Sequence, residues 1–193
     1  MSKPLYNKLS SLPYIPYKIV EYLAKSNNED IWKILYYNDY DCLSKPNLTF
    51  RQKMNLIWKK ENDEYQYRVF LKPLVSSELT DSLCQLRINK INIKPLDYTS
   101  AVVLYEFTII TGEKIALIDK DGISVPRIDY LEEQLLKELN GKDIGVGSGL
   151  LQFSQELSRE VQERISINNG KTAFGTSLIM GILVSDLGDD SCG

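Results

Sequence analysis

Histidine is absent from this 193-residue sequence. Histidine is the usual proton shuttle near neutral pH, the base that activates many serine and cysteine nucleophiles, and a common zinc ligand. Its absence excludes these hydrolase and metalloenzyme designs. Cysteine is scarce as well: Cys42, Cys84 and Cys192 are widely spaced and form no CxxC pair. We therefore expect neither a disulfide framework nor a zinc site, and a reducing compartment is the simplest interpretation.

Long apolar runs and a strong excess of one charge are also missing. No segment has about 18 consecutive apolar residues, and the N-terminus lacks the apolar stretch of a signal peptide, so we expect neither membrane insertion nor export. The 23 basic and 26 acidic residues give a net charge of −3, without the basic excess of a dedicated nucleic-acid binder. The remaining composition is that of an ordinary globular protein, with 43% hydrophobic residues.

Two helices are predicted near the N-terminus. Pro13 and Pro16 open the first, because proline is tolerated in the first turn of a helix. Asn27 or Asn28 caps the second, whose first turn is acidic and therefore suits the positive end of the helix dipole. The apolar stripe of this second helix comprises Ile31, Trp32, Ile34, Leu35 and Tyr36.

A third helix is predicted to begin at Thr49, which has capping-box spacing to Gln52. Apolar residues follow at helical intervals, at Phe50, Met54, Ile57 and Trp58. The pattern places Trp58 in the core and leaves a solvated basic face formed by Arg51, Lys53, Lys59 and Lys60. In the alternative, Trp58 stacks on a nucleic-acid base beside these cations, but the acidic run at 61–64 dilutes their charge and disfavours it.

Beyond residue 65 the apolar period changes from helical spacing to the alternation of strands. The longest alternating run, from Ala101 to Thr111, is apolar on both parities, so both of its faces are expected to be covered. In an earlier strand the apolar parity shifts at Asn89 and Lys90, which predicts a bulge. An Asn-Asn-Gly turn at 168–170 predicts a hairpin that leads into a last strand at 174–184.

One long helix interrupts the strands. It is predicted to start at Ser124 and Pro126, and to stop at the Asn140-Gly141 pair. The sequence Asp-Lys-Asp-Gly at 119–122 predicts a turn; as a calcium loop it lacks ligands at its fifth and twelfth positions. The glycine-rich stretch at 141–149 runs from helix to strand, the reverse of a phosphate-binding loop, and is interpreted as a connection.

The order of elements predicts an α+β fold, in which N-terminal helices are followed by a mainly antiparallel sheet with one long helix packed on it. We divide the chain into a helical section at 1–64, an α+β core at 65–187 and a disordered tail at 188–193. Tyrosine is concentrated in the helical section, and tyrosine suits surfaces that are apolar but keep a polar tip. The candidate partner interface comprises Tyr14, Tyr17, Tyr36, Tyr37 and Tyr40. Alternatively, these rings cover a small core.

Three stretches carry a family resemblance. From Asp30 to Trp58 the chain reads DIWKILYYNDYDCLSKPNLTFRQKMNLIW, a helix, an Asp-containing turn, a cap and a second helix. Later come RIDYLEEQLLKELNGKDIGVGSGLLQF and, near the end, NNGKTAFGTSLIMGILVSD. With these stretches the chain resembles bacteriophage head-tail junction proteins, in particular the tail-terminator and neck-ring (tail completion) proteins of tailed phages.

The resemblance implies a sheet flanked by helices, and a homo-oligomeric ring at the head-tail junction of the virion. The ring is a hexamer for a terminator and a dodecamer for a connector, it assembles in the host cytoplasm, and its partners are the tail-tube protein and the neck or portal proteins. DNA passes through the lumen without specific binding, and no membrane is involved. We expect no catalytic residue, no cofactor and no metal site.

Two other functions are compatible with the sequence. A non-catalytic adaptor would bind another protein through the tyrosine-rich helical section without forming a ring. A histidine-free enzyme or enzyme accessory would use Asp119, Asp121 or the glycine-rich loop near Lys142 to hold a metal-phosphate ligand.

Overall fold

The computed structural model describes residues 12–59, 67–72, 82–97, 100–145, 149–154, 162–167 and 171–185. Its helices are α1 (Ile15–Lys25), α2 (Glu29–Tyr36), α3 (Phe50–Asn55) and α4 (Arg127–Leu139). Its strands are β1 (Val69–Phe70), β2 (Cys84–Pro95), β3 (Ser100–Gly112), β4 (Leu117–Lys120), β5 (Ile123–Pro126), β6 (Gln152–Phe153), β7 (Gln162–Ile167) and β8 (Lys171–Ser185). The predicted α+β class is confirmed. The predicted tail at 188–193, the turn at 168–170, Lys60 and Cys192 lie outside the described residues.

A six-stranded sheet forms the centre of the molecule, in the order β1-β2-β3-β8-β6, and β7 also pairs with β8. All its pairs are antiparallel except β1 with β2. The register of β2 against β3 shifts between Lys90 and Asn92, which confirms the predicted bulge. The predicted hairpin pairing is confirmed as well, because β7 and β8 are antiparallel with Ile167 opposite Lys171.

Helices cover one face of this sheet. The alternating residues of β3 that point toward the helices are fully buried, and they are Ala101, Val103, Tyr105, Phe107 and Ile109. Helix α4 packs on β3 and β8, and α2 packs on β2 and α4. One hydrophobic cluster joins these strands to the apolar stripes of α1, α2 and α4, so the described parts of the helical section and of the sheet share a core. The division at residue 64 stays a prediction.

The third helix is shorter than its apolar pattern predicts. The capping box of Thr49 and Gln52 is confirmed, but α3 ends at Asn55. The following segment joins the sheet instead: Ile57 bridges Val69, and the Trp58 N–H donates to the Val69 carbonyl at 2.8 Å. As a result the Trp58 side chain is 37% exposed, which contradicts its predicted place in the core. Lys53 is only 3% exposed, so its predicted place on the solvated face is also wrong.

A second hairpin occupies the segment where the sequence predicts the start of the long helix. Strands β4 and β5 pair through a turn in which Asp121 and Gly122 have φ of 54° and 83°. These paired positive angles make the turn type I′, which matches the twist of the strands and favours the Asp-Gly sequence. The predicted turn is confirmed, whereas Ser124 and Pro126 belong to β5 and the helix begins only at Arg127. Its predicted stop is correct, with Gly141 at φ 74°.

We predict that the buried hydroxyl of Tyr105 does not stabilise the fold. Tyr105 is fully buried between the sheet and the helices, its Oη has no hydrogen-bond partner among the described residues, and burial raises its pKa to about 12. Removing an unsatisfied buried hydroxyl costs nothing, so Tyr105→Phe should leave the free energy of unfolding unchanged or raise it by about 1 kcal/mol in urea titrations.

Tyr130 is the matched control, because its hydroxyl donates to Asp30 Oδ2 at 2.8 Å. Tyr130→Phe leaves that carboxylate without its donor and should lower the free energy of unfolding by about 1–2 kcal/mol. If Tyr105→Phe instead destabilises the protein as much as Tyr130→Phe does, the assignment of the Tyr105 hydroxyl as unsatisfied is wrong.

We predict that Glu132, on α4, makes the stability of the fold depend on pH. Burial against β8 raises its pKa above the usual value, Asp129 adds to this, and a hydrogen bond from Thr176 opposes it. Because the pKa is raised in the folded state, the folded protein holds this proton more tightly than the unfolded chain, and Glu132 destabilises the fold as pH rises above about 4.5. Glu132→Gln should therefore stabilise the protein at pH 7 relative to pH 4.

The gain from Glu132→Gln should stay below about 1 kcal/mol, because the side chain is only half-buried and solvent screens its charge. Urea titrations of the wild type and the variant at pH 4 and pH 7 measure it. Glu133→Gln is the control. Glu133 is exposed and forms an ion pair with Lys137, so replacing its carboxylate should not stabilise the protein at either pH. An equal effect of Glu132→Gln at both pH values would contradict the prediction.

Candidate functional site

The five tyrosines predicted as a partner interface fall into two groups. Tyr14 and Tyr17 lie at the start of α1 and are 67% and 43% exposed. Tyr36, Tyr37 and Tyr40 lie in and after the last turn of α2. The rings of Tyr36 and Tyr37 contact each other edge to face, with centroids 4.9 Å apart. Tyr36 and Tyr40 are exposed, whereas Tyr37 is half-buried and donates a hydrogen bond to the Pro46 carbonyl.

A buried arginine holds the loop that carries the second group. The guanidinium of Arg127 is fully buried, and its acceptors among the described residues are all backbone carbonyls. The acceptors and distances are Ile34 and Tyr37 at 2.8 Å, Asp39 at 2.9 Å, Asn38 at 3.4 Å and Ile115 at 2.7 Å. A second arginine, Arg68, donates to the Leu35 carbonyl at 2.9 Å, and burial lowers its pKa. Two cations therefore bind the negative end of the α2 dipole.

Sequence reasoning missed Arg127, although one signal was present. The N-terminus of a helix carries a partial positive charge, which repels a cation in the first turn. Arg127 is nevertheless the first residue of α4. Such a placement indicates a tertiary partner. Here the partner is the C-terminal end of another helix, whose free carbonyls need donors.

The β4–β5 hairpin is joined to the same loop, because the Asp119 N–H donates to the Tyr40 carbonyl at 2.8 Å. Asp119 Oδ1 accepts from the Gly122 N–H within the turn, and Asp121 pairs with Lys120. Lys142 belongs to another element, where its backbone pairs with Leu151. The described residues contain no group of three or more His, Cys, Asp or Glu side chains placed to hold a metal ion.

Both described cysteines are buried and free. Burial raises the pKa of the Cys84 thiol to about 11, although Arg127 and Arg68 oppose the shift, and burial raises the pKa of Cys42 too. The thiol form therefore dominates at neutral pH.

The second face of the sheet carries an apolar groove of about 510 Å³ at the end near the β2–β3 turn. Its floor is formed by cross-strand neighbours of β3 and β8, where Val102 pairs with Leu183 and Leu104 with Gly181. Its walls come from Leu96 after β2 and from Leu150 before β6. Among the described residues, no charged side chain is part of its lining. Both faces of β3 were predicted to be covered, but Val102 and Leu104 are only partly buried here.

Two glycines shape this groove. A Cβ at Gly149 would lie 2.8 Å from the Leu183 carbonyl oxygen, so only glycine lets the loop lie this close to β8. A Cβ at Gly181 would lie 3.2 Å from a Leu104 methyl group. Gly149 thus has a packing role that the spacing did not reveal, whereas 146–148 of the glycine-rich stretch lie outside the described residues. The groove itself was missed because its residues come from separate segments of the chain.

Within the part of the chain that the structure describes, no helix is long and apolar enough to cross a membrane. No curated protein sequence matches the chain. A family model named YomW matches residues 28–171, which is more than half of the chain. The match includes Arg127 and the loop that it holds, and leaves out Tyr14, Tyr17 and Leu183. The chain therefore belongs to the YomW family, a phage-derived family of the SPbeta prophage type.

Proposed function

We propose that this protein is a virion structural protein of the phage head-tail junction, where it forms a ring that terminates the tail tube or connects it to the neck. It acts by self-assembly and docking rather than by catalysis. Membership of a phage-associated family supports a role in the phage. The resemblance of three stretches to tail-terminator and neck-ring proteins supports the position within the particle.

One observation supports the proposal: the subunit exposes two unlike surfaces, an apolar groove and a pair of tyrosines, on opposite sides of its sheet. The groove lies on the face away from the helices, and the tyrosines at the start of α1 lie in the helical layer. A ring is built from head-to-tail contacts, in which each subunit uses two unlike surfaces. Exposed apolar surfaces of this kind are typical of protein interaction sites.

The partners in this proposal are other copies of the chain, the tail-tube protein and the neck or portal proteins. The ring has six copies in a terminator and twelve in a connector or stopper. DNA passes through it without specific binding, because the net charge of −3 provides no excess of cations for phosphate contacts. The protein is made in the host cytoplasm and ends at the head-tail junction.

Disruption of the gene in an inducible phage tests the proposal. Without the protein we expect DNA-filled heads and free tails to accumulate side by side in electron micrographs, and infectious titre to fall by several orders of magnitude. The wild-type gene supplied in trans should restore joined particles, and the Tyr105→Phe variant is the matched control that should restore them equally. Normal joined virions in the absence of the protein would contradict the proposal.

A non-catalytic adaptor is the second candidate, favoured by the exposed Tyr36 and Tyr40 on the loop that Arg127 holds. An adaptor would form a complex of fixed small stoichiometry with one phage protein and would not oligomerise alone. Size-exclusion chromatography with light scattering separates the two functions, since only the ring subunit gives a large homo-oligomer.

A further inference from the structure

Beyond Arg87, strand β2 forms an open edge of the sheet. On its outer side β2 is paired with β1, and this pairing is limited to Leu86 and Arg87. From Lys90 to Lys94 no described strand lies on the outer side, and every residue of the segment except Ile93 is exposed. We call the segment Lys90–Lys94 the β2 edge. An exposed strand edge of this kind is a template for pairing with another chain.

The backbone groups of the β2 edge alternate in direction, as they do in any antiparallel pair. The Leu86 N–H points away from β3, because it donates to the Arg68 carbonyl at 2.8 Å. The same alternation directs the N–H and C=O groups of Lys90 outward and, beyond the bulge, those of Ile93. The bulge residue Ile91 has no partner position on β3. The edge therefore offers main-chain donors and acceptors to an extended partner segment.

The charge of the β2 edge comes from its two lysines. Lys90 and Lys94 are both exposed, and neither forms an ion pair with another described residue. The nearest acidic residue along the chain, Asp97, accepts hydrogen bonds from the Ser100 N–H at 2.8 Å and from the Ser100 hydroxyl at 2.6 Å. The two ammonium groups therefore lack a counter-charge within the described part of the subunit.

This combination of features restricts which partner the edge accepts. Lysines, a bulge and a proline, here Pro95, are devices by which edge strands avoid indiscriminate pairing. A second copy would bring the same two lysines against the edge, and like charges across a strand pair are destabilising. Nucleic acid gains little, because two lysines neutralise about two phosphates and the net charge of −3 adds no attraction. An acidic strand gains an opposite charge at each lysine.

We propose that the β2 edge binds an extended acidic segment of a partner protein, which adds a strand to the sheet. Lys90 lies opposite Tyr105 on the helix side of the sheet, and Lys94 lies opposite Val102 on the groove side. The bound segment therefore carries carboxylates on both of its sides, an odd number of residues apart. Pro95 has no N–H and ends the added ladder. This interface goes beyond the proposed ring and does not depend on it.

Peptide binding to the full chain tests this inference. The acidic probe is the labelled, capped peptide Thr-Glu-Val-Thr-Glu-Val-Thr, in which the two glutamates are separated by an odd number of positions. The same peptide with lysines in place of the glutamates is the charge control. An N-methylated acidic peptide keeps the charges but loses its main-chain donors. Fluorescence anisotropy should show at least about 10-fold weaker binding for both controls. Bound acidic probe should slow amide hydrogen exchange at 90–93 by about 10-fold or more.

Charge reversal on the protein supplies the matched variants. Lys90→Glu combined with Lys94→Glu should invert the preference, so that the lysine peptide binds at least about 10-fold tighter than the acidic one. Arg51→Glu reverses an exposed cation on α3 and should bind the acidic probe like the wild type. Circular dichroism melting curves check that all variants fold.

Three results would overturn the inference. One is that the wild type does not bind the acidic probe. Another is that the N-methylated peptide binds equally well, because charge then acts without an added strand. The third is displacement of the probe by an oligothymidylate, which would assign the edge to nucleic acid instead. All three leave the proposed ring intact, since disruption of the gene tests that function separately.

Discussion

Replacing Arg127 by methionine is expected to lower the free energy of unfolding by about 4 kcal/mol or more, because several buried carbonyls lose a charged donor at once. The guanidinium binds carbonyls from the end of α2, from the loop at 37–39 and from Ile115. Methionine keeps much of the volume but supplies no donor, and water has no access to the fully buried site. This loss is a large fraction of the about 5–15 kcal/mol by which a typical domain is stable.

Urea titrations followed by circular dichroism measure this effect. Arg51→Met is the matched control, because Arg51 is exposed on α3 and its loss should change the free energy of unfolding by less than about 0.5 kcal/mol. Arg127→Lys keeps the charge but loses the planar, forked guanidinium. Its loss of stability should therefore lie between those of Arg51→Met and Arg127→Met. If the free energy of unfolding of Arg127→Met lies within 1 kcal/mol of the wild-type value, the guanidinium does not hold the end of α2.

The second large effect concerns the ion pair that joins α3 to the other helices. Lys53 Nζ lies 2.6 Å from Glu29 Oε1 and 3.4 Å from the Ala24 carbonyl oxygen, at the ends of α2 and α1. Lys53→Met leaves the Glu29 carboxylate partly buried without its cation. We expect a loss of about 2–4 kcal/mol, slightly less than for a fully buried pair because Glu29 retains some exposure.

A double replacement distinguishes the loss of a pair from the loss of packing. Lys53→Met combined with Glu29→Met removes both charges and should recover most of the stability lost by Lys53→Met alone. The exposed pair of Lys25 with Glu21 is the control, where Lys25→Met should cost less than about 0.5 kcal/mol. A Lys53→Met variant as mildly affected as Lys25→Met would show that burial does not strengthen the Lys53 pair.

The sequence predicts elements whose signals are local. The capping box at Thr49 and Gln52, the bulge at Lys90 and the glycine stop at Gly141 were all predicted correctly, because each depends on a few neighbouring residues. The length of α3 was not, because Ile57 gains more from pairing with Val69 in the sheet than from another turn of helix. The predicted exposure of Lys53 and burial of Trp58 failed with it, since both depended on a continuous helix.

The candidate surfaces divide in the same way. The exposure of Tyr14, Tyr17, Tyr36 and Tyr40 is consistent with the predicted interface, and composition alone pointed to these residues. Their interface role stays a prediction. Asn28 occupies the predicted cap position, but its side chain donates to Gln134 on α4 instead of capping α2, a choice that only the packed structure reveals. The groove was beyond sequence reasoning because strand pairing brings its walls together.

The mass of the wild-type protein in native mass spectrometry, at micromolar concentration and low salt, shows whether the chain assembles into a ring. The proposed function predicts a closed oligomer of six or twelve copies, with no larger species, since a closed ring leaves no interface unpaired. A single species at the mass of one 22.1 kDa chain, unchanged when tail-tube and portal proteins are added, would contradict the claim.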